Sequence, residues 1–269
     1  MVAESTFSTS ELASCCTISY SHPLVRWLLG ESFHPGGLSL TERLASLMGV
    51  DAESTLLDVG SGIGTTAVHL AQAVGCTVTG TTLEADGVEA ARTLAEQRGV
   101  AGRVQFLRGD FLSEAFEATY DHVLMECVLS IFLDKQAALR RAYDAVQPGG
   151  ALGVSDVTVS GKLPDELRGV IGTTGCVGGA LSLDQYRSIA DDAGFVVEHV
   201  EDCRDDARAF LRGIQGKLLM AELGMKLGKA SVHPDLLAEA KRLVAVTQGL
   251  VDDGVVSYGL LVLRKPSAG

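Results

Sequence analysis

The cysteines of this 269-residue chain are the residues with the clearest capacity for chemistry, because a thiolate is both a nucleophile and a soft ligand. Cys127 directly follows the strand-like stretch YDHVLME, and Cys176 lies in the glycine-rich stretch GTTGCVGGAL. Cys15 and Cys16 are adjacent near the N-terminus. We expect the three elements that carry them to converge on one pocket. The alternative is that each is a small buried apolar side chain. We prefer that alternative for the two cysteines without an accompanying motif, Cys76 and Cys203.

A glycine-rich turn lies between the first predicted strand and the first predicted helix, in LLDVGSGIGTTAVHL. Gly60, Gly62 and Gly64 allow the backbone to turn tightly and allow a ligand to approach the main chain. Asp58 precedes the turn, and Asp110 ends a later strand in RGDF, where its carboxylate is placed to accept a hydrogen bond from an adenine amino group. The turn alone is typical of many nucleotide-binding α/β proteins.

Strand-like and helix-like stretches alternate from residue 55 onward, which predicts a doubly wound, mostly parallel seven-stranded sheet. The predicted strands cover residues 55–59, 76–82, 104–110, 120–126, 151–157, 196–201 and 255–266. The predicted helices cover residues 65–74, 86–100, 134–150 and 183–195, with two longer helices within 204–228 and 234–252. Asp86 is the expected N-cap of the second helix, and Pro148 is expected to help end the third.

The same alternation predicts how the chain is organised. We expect residues 1–50 to form a helical lid and residues 51–269 to form one domain. Residues 161–183 are predicted to be a glycine-rich insertion that folds over the active site. Ligands of open α/β sheets bind at the carboxyl ends of the strands, which is where Cys127 stands.

The charge balance argues against two classes of partner. The chain has 22 basic and 34 acidic residues, whereas nucleic acids and anionic membranes attract a basic face. No apolar run approaches the roughly 18–20 residues that span a bilayer. The stretch MVAESTFSTSEL lacks the basic start and apolar core of a signal peptide. We therefore expect a cytoplasmic protein with reduced cysteines and with no nucleic-acid or membrane partner.

Three stretches together resemble the class I S-adenosylmethionine-dependent methyltransferases: VGSGIG, RGDF and AVQPGGALGVSD. The resemblance is close over roughly residues 50–160, and it implies a Rossmann-like fold with S-adenosylmethionine as cofactor. The residues that it implies for the cofactor site are Asp58, Gly60, Gly62, Gly64, Thr82, Glu84, Asp110, Phe111 and Glu126. The family usually has an acidic residue for the ribose hydroxyls where this chain has Thr82, so either Thr82 or Glu84 is expected there.

A narrower resemblance concerns the cysteines. STSELASCCT, MECVLSIFLDK and GCVGGALSLDQY are similar to segments of the arsenite methyltransferases. Carried over by position, the resemblance implies that Cys127, Cys176 and one of Cys15 or Cys16 hold trivalent arsenic, whose lone pair attacks the sulfonium methyl group. It implies arsenic as substrate, a thiol reductant as a further partner and no resident metal ion.

Several features keep other functions open. Many arsenite enzymes have a further cysteine just after the glycine turn, where this chain has Thr65-Thr66-Ala67, and Glu126 replaces their common Asn. The stretches GESFHPGGLSLTERL and MECVLSIF look closer to a little-characterised bacterial group. One alternative is methyl transfer to an organic small molecule, with His34 as a general base unless it only structures its turn. Another is a sensor that binds the metalloid or the cofactor without turnover.

Overall fold

The computed structural model describes residues 27–30, 33–113, 119–164, 176–228 and 233–267. Cys15 and Cys16 lie outside these ranges, and so does much of the predicted insertion at 161–183. Their predicted roles stay predictions. No helix within the ranges given is both long enough and apolar enough to cross a membrane.

Strands and helices alternate along the described chain. The strands are β1 Thr55–Val59, β2 Thr77–Thr82, β3 Val104–Arg108, β4 Tyr120–Glu126, β5 Val146–Val159, β6 Val196–Asp202 and β7 Val256–Arg264. The helices are α1 Gly37–Met48, α2 Thr65–Ala73, α3 Ala85–Gln97, α4 Lys135–Ala145, α5 Leu183–Asp192, α6 Arg204–Lys226 and α7 Pro234–Asp252. A short 3₁₀ helix, Leu129–Ile131, follows β4.

The seven strands form one sheet in the order β3-β2-β1-β4-β5-β7-β6. β7 runs antiparallel to β5 and β6, and the remaining neighbours pair in parallel. This confirms the predicted doubly wound, mostly parallel sheet. The strand order reverses between β1 and β4, so the crevice outside their carboxyl ends is the place where ligands bind in such sheets.

The start of α3 differs from the prediction. The helix begins at Ala85, with Glu84 as the extended residue before it, so Asp86 is not the N-cap. Asp86 lies instead in the first turn, where its negative charge stabilises the helix through the positive end of the helix dipole.

The end of α4 also differs from the prediction. The helix ends at Ala145, before Pro148, because residues 146–150 already belong to β5. Val146 is completely buried and pairs with Tyr120 of β4. A β-branched side chain packs well on a buried sheet, so this pairing stabilises the extended conformation over another helical turn.

α1 packs directly against the sheet. Its residues Leu40, Leu44 and Met48 are buried in the core. A Cβ at Gly153 of β5 would lie 3.1 Å from Leu44, so glycine lets the helix approach the strand closely. The packing fixes Thr41, on the same buried face, close to the end of β4. The predicted lid role of residues 1–50 as a whole stays a prediction.

Candidate active site

The glycine turn joins the carboxyl end of β1 to α2. Gly60, Gly62 and Gly64 have φ of 74°, 53° and 80°, a conformation that favours glycine. A Cβ at Gly60 would lie 2.6 Å from Val128, and one at Gly64 would lie 2.7 Å from Phe106. Those two glycines are therefore required by packing within the protein. The nearest described atom to a Cβ at Gly62 would be 4.0 Å away, so Gly62 has space beside it for a ligand.

Asp58 of β1 is a buried carboxylate beside this turn. It is 3% exposed, and its Oδ2 accepts no hydrogen bond from any residue that the structure describes. Burial, together with the charge of Glu126, raises the pKa of Asp58 to about 8. A buried oxygen without a partner costs free energy. The position therefore fits a ligand that brings a cationic group, such as an ammonium, to Asp58.

The other residues predicted to bind the cofactor follow the next two strands. Thr82 is the buried last residue of β2, and Glu84 directly precedes α3. Asp110 follows β3, and its Oδ1 accepts a hydrogen bond from Leu112 N at 3.0 Å. Phe111 is buried in the core. All four lie at the carboxyl ends of β2 and β3, on the side of β1 away from β4, and their contacts with a cofactor stay predictions.

Glu126, the last residue of β4, lies in a buried group of hydroxyls. Its side chain is 5% exposed. Oε1 accepts hydrogen bonds from Thr41 Oγ1 at 3.0 Å and Ser155 Oγ at 3.3 Å, and Oε2 accepts one from Thr66 Oγ1 at 2.8 Å. His34 Nε2 lies 3.5 Å from Oε2. Residues from α1, α2 and β5 thus converge on one carboxylate, whose own predicted contact with the cofactor stays untested.

His34 contacts its own turn and also faces Glu126, and its predicted role as a general base stays a prediction. Its Nδ1 lies 3.0 Å from Pro35 O, within its own turn, and its Nε2 faces Glu126. The ring is 4% exposed and stacks on the Tyr258 ring with the centroids 6.5 Å apart. The imidazole is therefore held against the carboxylate by its turn and by an aromatic neighbour.

Cys127 and Cys176 come from separate loops and lie against each other. Cys176 Sγ is 3.5 Å from Cys127 O. A hydrogen bond with the Cys176 thiol, followed by burial, raises the pKa of Cys127 well above its ordinary value of 9.0. Cys127 is half-buried and Cys176 is buried. Their φ angles are 51° and 61°, which are uncommon for residues with a side chain, and strain of this kind clusters at functional sites.

Cys76 and Cys203 do not join this pair. Cys76 directly precedes β2, at the amino end of that strand, and Cys203 precedes α6. Both are buried in the apolar core, and burial raises the pKa of Cys203 to about 12. Their environment is that of small apolar side chains. Within the part of the chain that the structure describes, no three His, Cys, Asp or Glu side chains are grouped so as to hold a metal ion.

Asp156 of β5 is a second buried carboxylate near the thiols, and sequence reasoning missed it. It accepts hydrogen bonds from Ser130 N at 2.8 Å and Val157 N at 2.7 Å. Burial raises the pKa of Asp156 to about 6, and its charge helps to raise the pKa of Cys127. Lys135 lies close enough that its charge partly counters that effect on Asp156. The available signal was an aspartate, next to Ser155, within the mostly apolar strand sequence ALGVSDV.

A family model described as a methyltransferase domain matches residues 56–150 of this chain. The matched region runs from β1 into β5 and contains the glycine turn, Asp58, Asp110 and Glu126. The match confirms the predicted resemblance of this part of the chain to the class I S-adenosylmethionine-dependent methyltransferases. The unpaired Asp58 oxygen and the space beside Gly62 fit the cofactor of that family, which carries a cationic amino-acid group.

Two relatives indicate the range of substrates among similar proteins. The chain is 36% identical over 151 residues to the arsenite methyltransferase of Aquipseudomonas alcaligenes, which is 52% of this chain and 43% of that protein. It is 31% identical over 167 residues to the 27-O-demethylrifamycin SV methyltransferase of Amycolatopsis mediterranei, which is 61% of each chain. The chain thus spans less than two thirds of either relative.

A solved structure of similar fold covers more of the chain. The phosphoethanolamine N-methyltransferase 2 of Haemonchus contortus, in complex with phosphomonomethylethanolamine and S-adenosylhomocysteine, aligns with a TM-score of 0.80 at 19% identity. The alignment covers 97% of this chain and 61% of that one. At this identity the likeness establishes the methyltransferase fold and leaves the substrate open.

Proposed function

We propose that the protein binds S-adenosylmethionine and transfers its methyl group to a soft trivalent acceptor, such as arsenic(III), held by Cys127 and Cys176. The observation that carries this proposal is the pair of thiols in contact beside the glycine turn. Val128, the residue after Cys127, packs on Gly60, which brings the thiol loop next to the cofactor turn. The similarity to an arsenite methyltransferase supports the choice of acceptor.

Binding of the cofactor is assigned to the carboxyl ends of β1, β2 and β3. In this proposal Asp58 receives the ammonium of the methionine part, and Asp110 receives the adenine amine. Either Thr82 or Glu84 contacts the ribose. The bound cofactor supplies an electrophilic methyl group on a sulfonium sulfur.

The acceptor is proposed to bind by exchanging its hydroxyl groups for cysteine thiols. Because burial and the neighbouring thiol keep Cys127 protonated, each cysteine loses a proton as it bonds to arsenic, and each hydroxyl that arsenic releases leaves as water. Two such exchanges give two sulfur–arsenic bonds, and Cys15 or Cys16 is proposed to give the third. Arsenic keeps its lone pair for the methyl group. Burial of Cys176 excludes water from this centre.

Substitution of the thiols tests the acceptor. Cys127→Ser and Cys176→Ser should each nearly abolish methylation of arsenite, with labelled S-adenosylmethionine as donor, because a hydroxyl is a hard ligand. Affinity for the cofactor should be unchanged by calorimetry. Cys76→Ser and Cys203→Ser are the matched controls and should stay active. Full activity of the first two variants on arsenite would contradict the proposal.

The buried pair of His34 and Glu126 favours a second candidate function. A general base near neutrality is what an organic hydroxyl or nitrogen acceptor requires, and similarity to a 27-O-demethylrifamycin SV methyltransferase agrees with a hydroxyl. In that case the thiols line the pocket, and Cys127→Ser would be mild while His34→Ala would be severe. A panel of arsenite, methylarsenite, selenite, small thiols and phenols separates the two functions.

A further inference from the structure

We infer that the solvent-facing side of α6 binds a second copy of this chain, with the two α6 helices antiparallel around a two-fold axis. The surface is one row of residues along the helix, which we call the seam: Gly213, Gly216, Met220, Leu223 and Leu227. The inference does not depend on the substrate or on the thiols, because no residue of the seam belongs to the candidate active site.

Helix α6 is apolar on two opposite faces. Its inner face carries Ile214 and Leu218, which are buried and pack with Leu237 of α7. Its outer face carries Met220 and Leu223, which are 65% and 50% exposed. A surface helix of a monomer is normally polar on the face opposite the core, and a helix that is apolar all round is normally buried. The outer face therefore indicates a partner that the described residues do not supply.

The spacing of the seam is that of a coiled coil. From Gly213 to Leu227 its members follow one another at intervals of three, four, three and four residues. This alternation keeps side chains on the line where two helices meet. Leu218 and Met225, which pack toward α7, lie on the opposite side of the helix. The pattern that predicts helix pairing thus coincides with the surface that the fold leaves exposed.

The sizes of the side chains favour an antiparallel pair. The first two members are glycines, and nothing outside the backbone of the helix itself lies within 4 Å of a Cβ built at Gly213 or Gly216. The last three members are large. An antiparallel pair places Leu227 over Gly216 of the other copy and Met220 over its Leu223, and both contacts are symmetric about the same point. A parallel pair would place Gly216 against Gly216 and leave a gap, whereas large side chains facing small ones fill the space.

The exposed apolar area is that of a small dimer interface. Leu219, Met220, Leu223 and Leu227 are 58%, 65%, 50% and 60% exposed. Together they present roughly 250–350 Å² of apolar side-chain surface. Each partner in a small specific interface buries about 600 Å², of which somewhat more than half is apolar. The seam thus provides most of the apolar area of such an interface, and we expect a dissociation constant in the micromolar range.

The charges beside the seam are compatible with a second copy. Lys226 pairs with Glu222 of the same helix at 3.0 Å, and Lys217 donates to Leu28 O at 3.0 Å. Arg212 lies near one end of the seam, so an antiparallel pair keeps its two copies at opposite ends. An anionic membrane fits less well, because the chain has 34 acidic and 22 basic residues and the seam itself contains no basic side chain.

Sedimentation velocity measures the association of the native chain. Between about 1 and 200 µM it should show a monomer–dimer equilibrium. Met220→Glu and Leu223→Glu each place a carboxylate against an apolar side chain at the centre of the pair, and each should raise the dissociation constant at least about 100-fold. Leu236→Glu is the matched control, since Leu236 is 64% exposed but lies on α7, outside the seam. It should leave the dissociation constant unchanged, and circular dichroism confirms that each variant is folded.

Gly216→Leu distinguishes the two orientations. Leucine has space at this position within one chain and favours helix more than glycine, so the variant should be at least as stable to urea as the native chain. In an antiparallel pair the new side chain occupies the place of Leu227 of the other copy, and the dissociation constant should rise about tenfold or more. In a parallel pair leucine would fill the gap and strengthen the dimer.

Cross-linking tests the same geometry directly. A chain with both Gly216→Cys and Leu227→Cys should form disulfide-linked dimers under mild oxidation, because the two positions face each other across the pair. Gly216→Cys alone should not, since its two copies would lie about 16 Å apart along the helices, too far for a disulfide. The native chain, oxidised in the same way, gives the background from its own cysteines.

Several results would overturn the inference. They are a native chain that stays monomeric up to about 200 µM, a dimer that Met220→Glu and Leu223→Glu leave intact, and a stronger dimer in Gly216→Leu. If the monomeric native chain binds vesicles of phosphatidylcholine and phosphatidylglycerol and Met220→Glu abolishes that binding, the seam contacts a membrane instead. If the chain dimerises only after removal of residues 1–26, the contact is within the chain.

Discussion

Asp58→Asn should stabilise the ligand-free protein as the pH rises, while it weakens cofactor binding. Burial and Glu126 raise the pKa of Asp58 from 3.8 to about 8. An acid whose pKa is higher in the folded state binds more protons when folded, so its contribution to stability falls between the unfolded and the folded pKa. Asparagine cannot ionise, so the free energy of unfolding of the variant does not include this decrease with pH.

The magnitude follows from the pH range between the unfolded and the folded pKa of Asp58. Each pH unit between about 4 and 8 lowers the native free energy of unfolding by about 1.4 kcal/mol relative to Asp58→Asn. From pH 5 to pH 7 the difference between the two proteins should therefore change by about 2.7 kcal/mol in favour of the variant. Burying the asparagine amide has a cost that does not depend on pH. It changes the difference in free energy of unfolding between the two proteins by a constant and leaves the slope of that difference against pH unchanged.

Urea denaturation at pH 5, 6, 7 and 8 measures the effect for both proteins. Asp121→Asn is the control, because hydrogen bonds from Thr55 lower the pKa of Asp121, and its difference from the native protein should be constant over this range. Affinity of Asp58→Asn for S-adenosylmethionine should fall by about 1.5–3 kcal/mol, the value of a hydrogen bond to a charged group. Parallel stability curves for Asp58→Asn and the native protein would refute the reasoning.

Three further predictions concern single positions. Gly64→Ala should destabilise the fold by about 2 kcal/mol more than Gly99→Ala in urea denaturation, since both have positive φ and only Gly64 lacks room for a Cβ. Asp110→Ala should weaken S-adenosylmethionine binding by about 1–3 kcal/mol in calorimetry, and unchanged affinity would remove it from the site. Ser182→Ala should lower the free energy of unfolding by about 1 kcal/mol without changing activity, because it removes one half of the capping box of α5.

The sequence determined the architecture of this protein because the relevant signals are local. Alternation of short apolar stretches with amphipathic ones predicted the seven strands, and the glycine turn after β1 predicted where a ligand approaches the backbone. Positive φ at Gly60, Gly62 and Gly64 is a requirement of that turn alone, so it could be inferred from the residues themselves. The predicted start of α3 and the predicted end of α4 were wrong, and at the end of α4 the pairing of Val146 in the sheet outweighed the local preference for helix.

Only the tertiary structure decided the surroundings of Glu126 and Cys127. The hydroxyls on Glu126 come from Thr41, Thr66 and Ser155, which are 85, 60 and 29 positions away in the sequence. No local pattern states which side chains meet across a helix–sheet contact, because that depends on register and on how closely α1 approaches β5. The contact of Cys127 with Cys176 and the burial of Asp58 Oδ2 without a hydrogen-bond partner among the described residues both arise from proximity in the folded chain.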